Sequence, residues 1–109
     1  GADIFASQLM DFIPENSLLV ASFDFSHNVT SHTADIQDAK SINILEELDY
    51  ENIKLVTVDS KVGLRIFLKL LSEMKAEKFD LLYNFNSSKI LGKERSDTTS
   101  YIVGYFSVY

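Results

Sequence analysis

Ser22-Phe23-Asp24-Phe25-Ser26-His27 brings a carboxylate, two hydroxyls and an imidazole together within six residues. An imidazole titrates close to neutrality and binds metals through a neutral ring nitrogen, so His27 is a candidate metal ligand or general acid/base. Asp24 has two readings: a carboxylate that orients the His27 ring, or the side chain of an Asx-turn at a strand end. The plain alternative for His27 is a loop histidine bonded to nearby backbone. Placement favours chemistry. The apolar run Leu18-Leu19-Val20-Ala21 precedes the cluster, and open α/β sheets bind ligands just beyond the carboxyl ends of their strands.

The elements that must hold this cluster follow from periodicity. Ile4, Phe5, Leu9, Phe12 and Ile13 predict an amphipathic helix over residues 3–13, ended by Pro14. Residues 18–23 then predict a strand covered on both faces, since its centre is continuously apolar. A polar loop over 25–33 leads to a helix over 34–48, with Ser31 or Thr33 as cap and Ala39, Ile42, Leu45 and Leu48 on its buried side. The β-branched run at 53–58 predicts a further strand. Asp59 or Ser60 caps a helix reaching about residue 77, apolar around most of its girth and therefore enclosed on several sides. Lys61, Arg65, Lys69 and Glu73 form its one polar stripe, read as a solvated face. Alternation over 79–86 and the aromatic, β-branched run over 99–109 predict the last two strands, separated by a polar loop. Tyr101, Tyr105 and Tyr109 fall on one strand face, where packing is their default role. The sum is an α/β domain, a layered sheet with helices on both faces.

Composition narrows the function. The chain of 109 residues has a net charge of −6, without the basic face that nucleic acid or anionic membrane requires. No apolar run approaches a membrane span, and no signal-peptide pattern opens the chain, so a cytoplasmic protein is expected. Zero cysteines exclude disulfides and thiolate metal sites. His32 is read as a solvated loop residue. Phosphate-binding loops, dinucleotide fingerprints and nucleophile elbows are absent from the sequence.

Four segments carry a resemblance. Val20-Ala21-Ser22-Phe23-Asp24-Phe25-Ser26-His27 is similar to a hydrophobic strand followed by S-S-D-F/L-S/C-H. Ile42 to Asp49 is similar to a helix end of the form I-x-x-I/L-x-x-L-D. Asn86-Ser87-Ser88, and then Thr98 to Tyr105, resemble a C-terminal S-x-x-S-Y/V-x-x-G-Y strand. In this order and spacing they resemble the C-terminal portion of the Memo-like family, protein B of the AmmeMemoRadiSam system, over nearly all of residues 17–109. The resemblance implies a fold like that of class III extradiol dioxygenases, with residues 1–109 as a single C-terminal segment and the N-terminal part absent. It also implies a site built from two N-terminal histidines, the motif histidine, here His27, and a downstream cysteine. That cysteine position falls at or beside Asp59. A carboxylate there would give two histidines and one carboxylate, the facial set of non-heme iron enzymes. Loss of the cysteine's role, or a slip that places Ser60 there, are the alternatives. Asp59 also has the simpler reading of a helix cap.

Two functions compete. One is a fragment of a metal-dependent, oxidoreductase- or dioxygenase-like protein holding Fe, Cu or Zn, inactive in isolation. The other is a non-catalytic module that binds a peptide, protein or small molecule on the same scaffold. Both expect the apolar surface to be covered, by the missing N-terminal segment or by self-association.

Overall fold

The computed structural model describes residues 1–108. In it the chain runs through α1 (Ala2–Met10), α2 (Ser31–Glu46), a 3-10 helix (Tyr50–Leu55), α3 (Lys61–Glu73), β1 (Lys78–Asn86), α4 (Ser87–Leu91) and β2 (Ser100–Ser107). This is a small α/β domain. None of these helices is long and apolar enough to cross a membrane.

α3 forms the axis, as its apolar girth demands. Ser60 caps it, its hydroxyl accepting the Gly63 N–H at 3.0 Å. Leu64, Leu68 and Leu71 enter a core shared with Phe25, Ile44, Leu45, Ile53, Val56 and Phe79. Leu70 is also buried. α1 lies against α3, burying Ala6 and pairing Asp3 with Arg65 at 3.0 Å. Arg65, and Glu73, which accepts from Ser7 Oγ at 3.4 Å, thus meet α1 and are not a purely solvated stripe, although pairs this exposed contribute little.

α2 is rotated from its predicted orientation. Its buried stripe is Ala34, Asp38, Ser41, Ile44 and Leu45, while Ala39 is exposed. The cap is Thr30, whose hydroxyl accepts the Thr33 N–H at 3.3 Å. Hydrophobic periodicity misplaced the face because two polar residues are buried with partners. Ser41 Oγ, for example, accepts the Thr57 N–H at 3.2 Å. The run at 53–58 is likewise not a strand: the 3-10 helix occupies its first half, and the Val56 N–H closes a turn onto the Ile53 carbonyl at 3.0 Å.

β1 and β2 pair antiparallel, with Phe79 opposite Phe106 and Phe85 opposite Tyr101. The register shifts between Leu81 and Tyr83, leaving Leu82 as an extra residue. Such a bulge exchanges the two faces for everything beyond it. Phe79 therefore enters the core, whereas Tyr83 and Phe85, their rings 5.3 Å apart, turn outward with Tyr101 and Val103. Ile102 and Phe106 pack inward; Phe106 meets Phe79 at 4.7 Å and Phe67 at 6.1 Å. Gly104 makes the close approach possible, because a Cβ there would lie 2.5 Å from Phe79 Cζ and 2.6 Å from the Asp80 carbonyl oxygen. The expected layered sheet is met in part. Among the described residues the sheet has two strands, and the core covers one of its faces.

The sharpest departure is at 18–23. Among the described residues this stretch has no regular secondary structure and belongs to no sheet, and Leu18 and Val20 are 86% and 82% exposed. The doubly covered strand expected there has no neighbour on either side. It lines instead a cavity of about 670 Å³, together with residues of β2 and with Phe67, Leu71 and Phe79.

Candidate functional site

The loop after residue 24 is fastened to the start of β2. The Phe25 N–H donates to the Ser100 carbonyl at 3.2 Å, and the Ser100 N–H returns to the Ser26 carbonyl at 2.8 Å. Val29 and Thr98 exchange a second pair of backbone bonds. The apparently free polar loop is therefore a strap laid on the sheet edge. Asp24 sits at its entry, where its carbonyl accepts the Asp59 N–H at 2.9 Å.

These bonds decide where each candidate residue stands. Asp24 and Asp59 are neighbours through their main chains, and both side chains are exposed. Asp59 is not the helix cap, a role taken by Ser60. His27 is exposed, and its Nδ1 lies 2.9 Å from Thr99 Oγ1. Its other nitrogen, Nε2, is the one left for a ligand or proton. Thr99 is itself held: the Ser87 N–H donates to its carbonyl at 2.9 Å and its own N–H donates to Ser87 Oγ at 3.0 Å. Neither carboxylate bonds to His27, so Asp24 is not its orienting partner; Thr99 is. His32 lies exposed in the first turn of α2.

Imidazole nitrogen and carboxylate oxygen are donors suited to a divalent transition metal. Among the described residues, however, no three His, Asp or Glu side chains converge on one point.

Beneath the strap lies a cluster that hydrophobic patterning missed. Asp38, 1% exposed, accepts through Oδ1 from Ser26 Oγ at 2.8 Å and from Ser100 Oγ at 2.7 Å. Its Oδ2 accepts from Asn84 Nδ2 at 2.8 Å. Ser26 and Ser100 are wholly buried. A signal did exist in the sequence: Asp38 shares helical spacing with Ala34, Ser41 and Leu45, which marks a buried polar position requiring partners.

A second fastening closes the site's outer side. Glu94 accepts the Ser31 N–H at 2.9 Å and the Ser31 hydroxyl at 2.6 Å, tying the loop before β2 to the first turn of α2. These two bonds favour the ionised form and hold the Glu94 carboxyl below its ordinary value. A lowered folded-state pKa contributes stability above the unfolded value, and that contribution disappears as the pH falls through the folded value. Wild type and Glu94→Gln should therefore differ in thermal stability at neutral pH and converge in acid. A difference that persisted in acid would remove the carboxylate from the account.

No family model matches this chain, and no match was found among curated proteins or solved structures.

Proposed function

We propose that this chain is the C-terminal part of a Memo-like protein, in which His27 lines a cleft that other polypeptide of the same domain completes. One observation carries the reading: the edge of β2 that faces the cavity. Ser100 directs its N–H and carbonyl toward the strap, and Ser107 accepts from the Glu77 N–H on the β1 side. Strand alternation then aims the main-chain groups of Ile102, Gly104 and Phe106 into the cavity. No strand pairs with them among the described residues. Residues 18–23 line the same cavity and have no strand partner among the described residues. A gap between them and this edge suits one inserted strand, which would satisfy the polar groups of β2. That insertion would make Leu18–Phe23 an inner strand and give the layered, dioxygenase-like sheet its missing members. Of the candidate residues Asp24 lines this cavity and His27 and Asp59 do not, so the insertion would bring further donors first to Asp24, three residues before His27 on the strap. A divalent metal held there would act as a Lewis acid or activate O₂, while His27, fixed through Nδ1, would present Nε2.

A second reading uses the same gap differently. Its apolar floor of Phe23, Phe67, Leu71, Phe79 and Phe106 would make the chain a non-catalytic module for an extended peptide. Metal titration separates the two. The isolated chain should bind Zn(II) or Fe(II) weakly, above micromolar, and His27→Ala should weaken that residual binding further. Sub-micromolar binding abolished by His27→Ala would show that the chain completes its own site, contrary to the proposal. Residual binding indifferent to His27→Ala would leave the peptide-binding reading in possession.

A further inference from the structure

We infer that Asp38 is a positioning residue for His27, acting through Ser100 and Ser26. The inference rests on the reading of His27 as the site's imidazole, but its argument is one of hydrogen-bond direction. A carboxylate can only accept. Ser100 Oγ, 2.7 Å from Asp38 Oδ1, must therefore spend its single proton on Asp38. Its lone pairs then face the Ser26 N–H, which donates to Ser100 Oγ at 2.8 Å. Ser26 Oγ donates its own proton to the same Oδ1 at 2.8 Å. Both serine hydroxyls are thus set by Asp38 Oδ1.

Ser26 immediately precedes His27, and Ser100 immediately follows Thr99. Locking Ser26 to Ser100 therefore fixes the spacing of the two residues whose side chains meet at His27 Nδ1 and Thr99 Oγ1, 2.9 Å apart. The main-chain bonds of Phe25 and Ser26 to Ser100 brace the same register, and Asn84 extends the bracing to β1 by donating to Asp38 Oδ2 and to the Tyr101 carbonyl. Asp38 touches neither His27 nor any ligand position. Its contribution is that the imidazole has one orientation before anything binds. Buried polar clusters that are fully satisfied confer this kind of uniqueness.

Asp38→Asn tests the inference with little change of shape. The amide oxygen can still accept from the serines, but the new NH₂ opposes Asn84 Nδ2, a donor facing a donor. Either that contact or a flipped amide disturbs the cluster. The readout is the orientation of the His27 ring, taken from cross-relaxation between its ring protons and the Thr99 methyl group. Thr99→Val serves as the reference because it removes the hydroxyl partner at the surface and leaves the buried cluster intact. Wild type should show one ring orientation held against residue 99, Thr99→Val should release it, and Asp38→Asn should weaken the cross-peak at least about threefold. Ser100→Ala, which removes the relay and keeps Asp38, covers the case in which Asp38→Asn does not fold; it should weaken the cross-peak likewise. A folded Asp38→Asn or Ser100→Ala protein with the wild-type ring orientation would overturn the inference. Should the orientation be lost while His27→Ala leaves metal binding unchanged, the positioning role stands and the metal-cleft reading fails.

Discussion

Asp38→Ala should destabilise the chain by roughly 2–3 kcal/mol, because it leaves the Ser100 hydroxyl without an acceptor, leaves Ser26 Oγ only the Ala34 carbonyl at 3.5 Å and takes one of the two acceptors of Asn84 Nδ2, at about 1–3 kcal/mol for each donor left unsatisfied. The donors are Ser26 Oγ, Ser100 Oγ and Asn84 Nδ2, and they come from the strap, β2 and β1. With total stabilities of small domains at about 5–15 kcal/mol, this single change removes a large share of what holds the fold. The loss should be shared by all three elements. Urea unfolding followed at a probe in α3 and at one in the strap should give the same lowered midpoint. A loss under 1 kcal/mol would mean that water or a rearranged hydroxyl replaces the carboxylate with ease, and the cluster would cease to explain why the strap lies where it does.

Phe79→Ala should cost about 3–5 kcal/mol, the range for emptying an aromatic site in a core. Phe79 is buried where the two strands meet α3, against Phe106 and over Gly104. Its ring covers backbone as well as side chains, so little can collapse into the space it leaves. Gly104→Ala approaches the same contact from the other side: its Cβ would press on the ring and on the Asp80 carbonyl. The two changes should be non-additive in denaturant unfolding, the pair costing less than the sum, since the new methyl enters volume that the ring has vacated. Strict additivity would show that Phe79 does not lie across Gly104.

The sequence announced its strongest elements through period alone. α1, α3, β1 and β2 were all legible, α3 because an apolar girth demands enclosure and β2 because aromatic and β-branched residues continue to its end. Ser60 was named as one of two possible caps. What failed had common causes. Leu18–Val20 read as a covered strand because pattern reports what a segment suits, not whether neighbours are present to cover it. The face of α2 was misread because Asp38 and Ser41 are buried by hydrogen bonding, which hydropathy counts against burial. Alternation across β1 broke at Leu82, since nothing in the residue types marks a bulge that only the register with β2 imposes. At the candidate site, motif placement proposes Asp24, His27 and Asp59, and the fold joins Asp24 to Asp59 by one main-chain bond. Thr99, Ser100 and Asn84 escaped notice because they are distant in sequence and reach the strap only through β2 and β1.

Amide hydrogen exchange along β2 bears most directly on the claim that this edge stands open for another strand. Tyr101, Val103 and Tyr105 face β1 and should be protected at least about tenfold more than Ile102, Gly104 and Phe106, a difference of about 1.4 kcal/mol. That two-residue alternation is the predicted result. Uniform slow exchange from Tyr101 through Phe106 in the isolated chain would contradict it, because the edge would then be paired already and no strand would be wanted there.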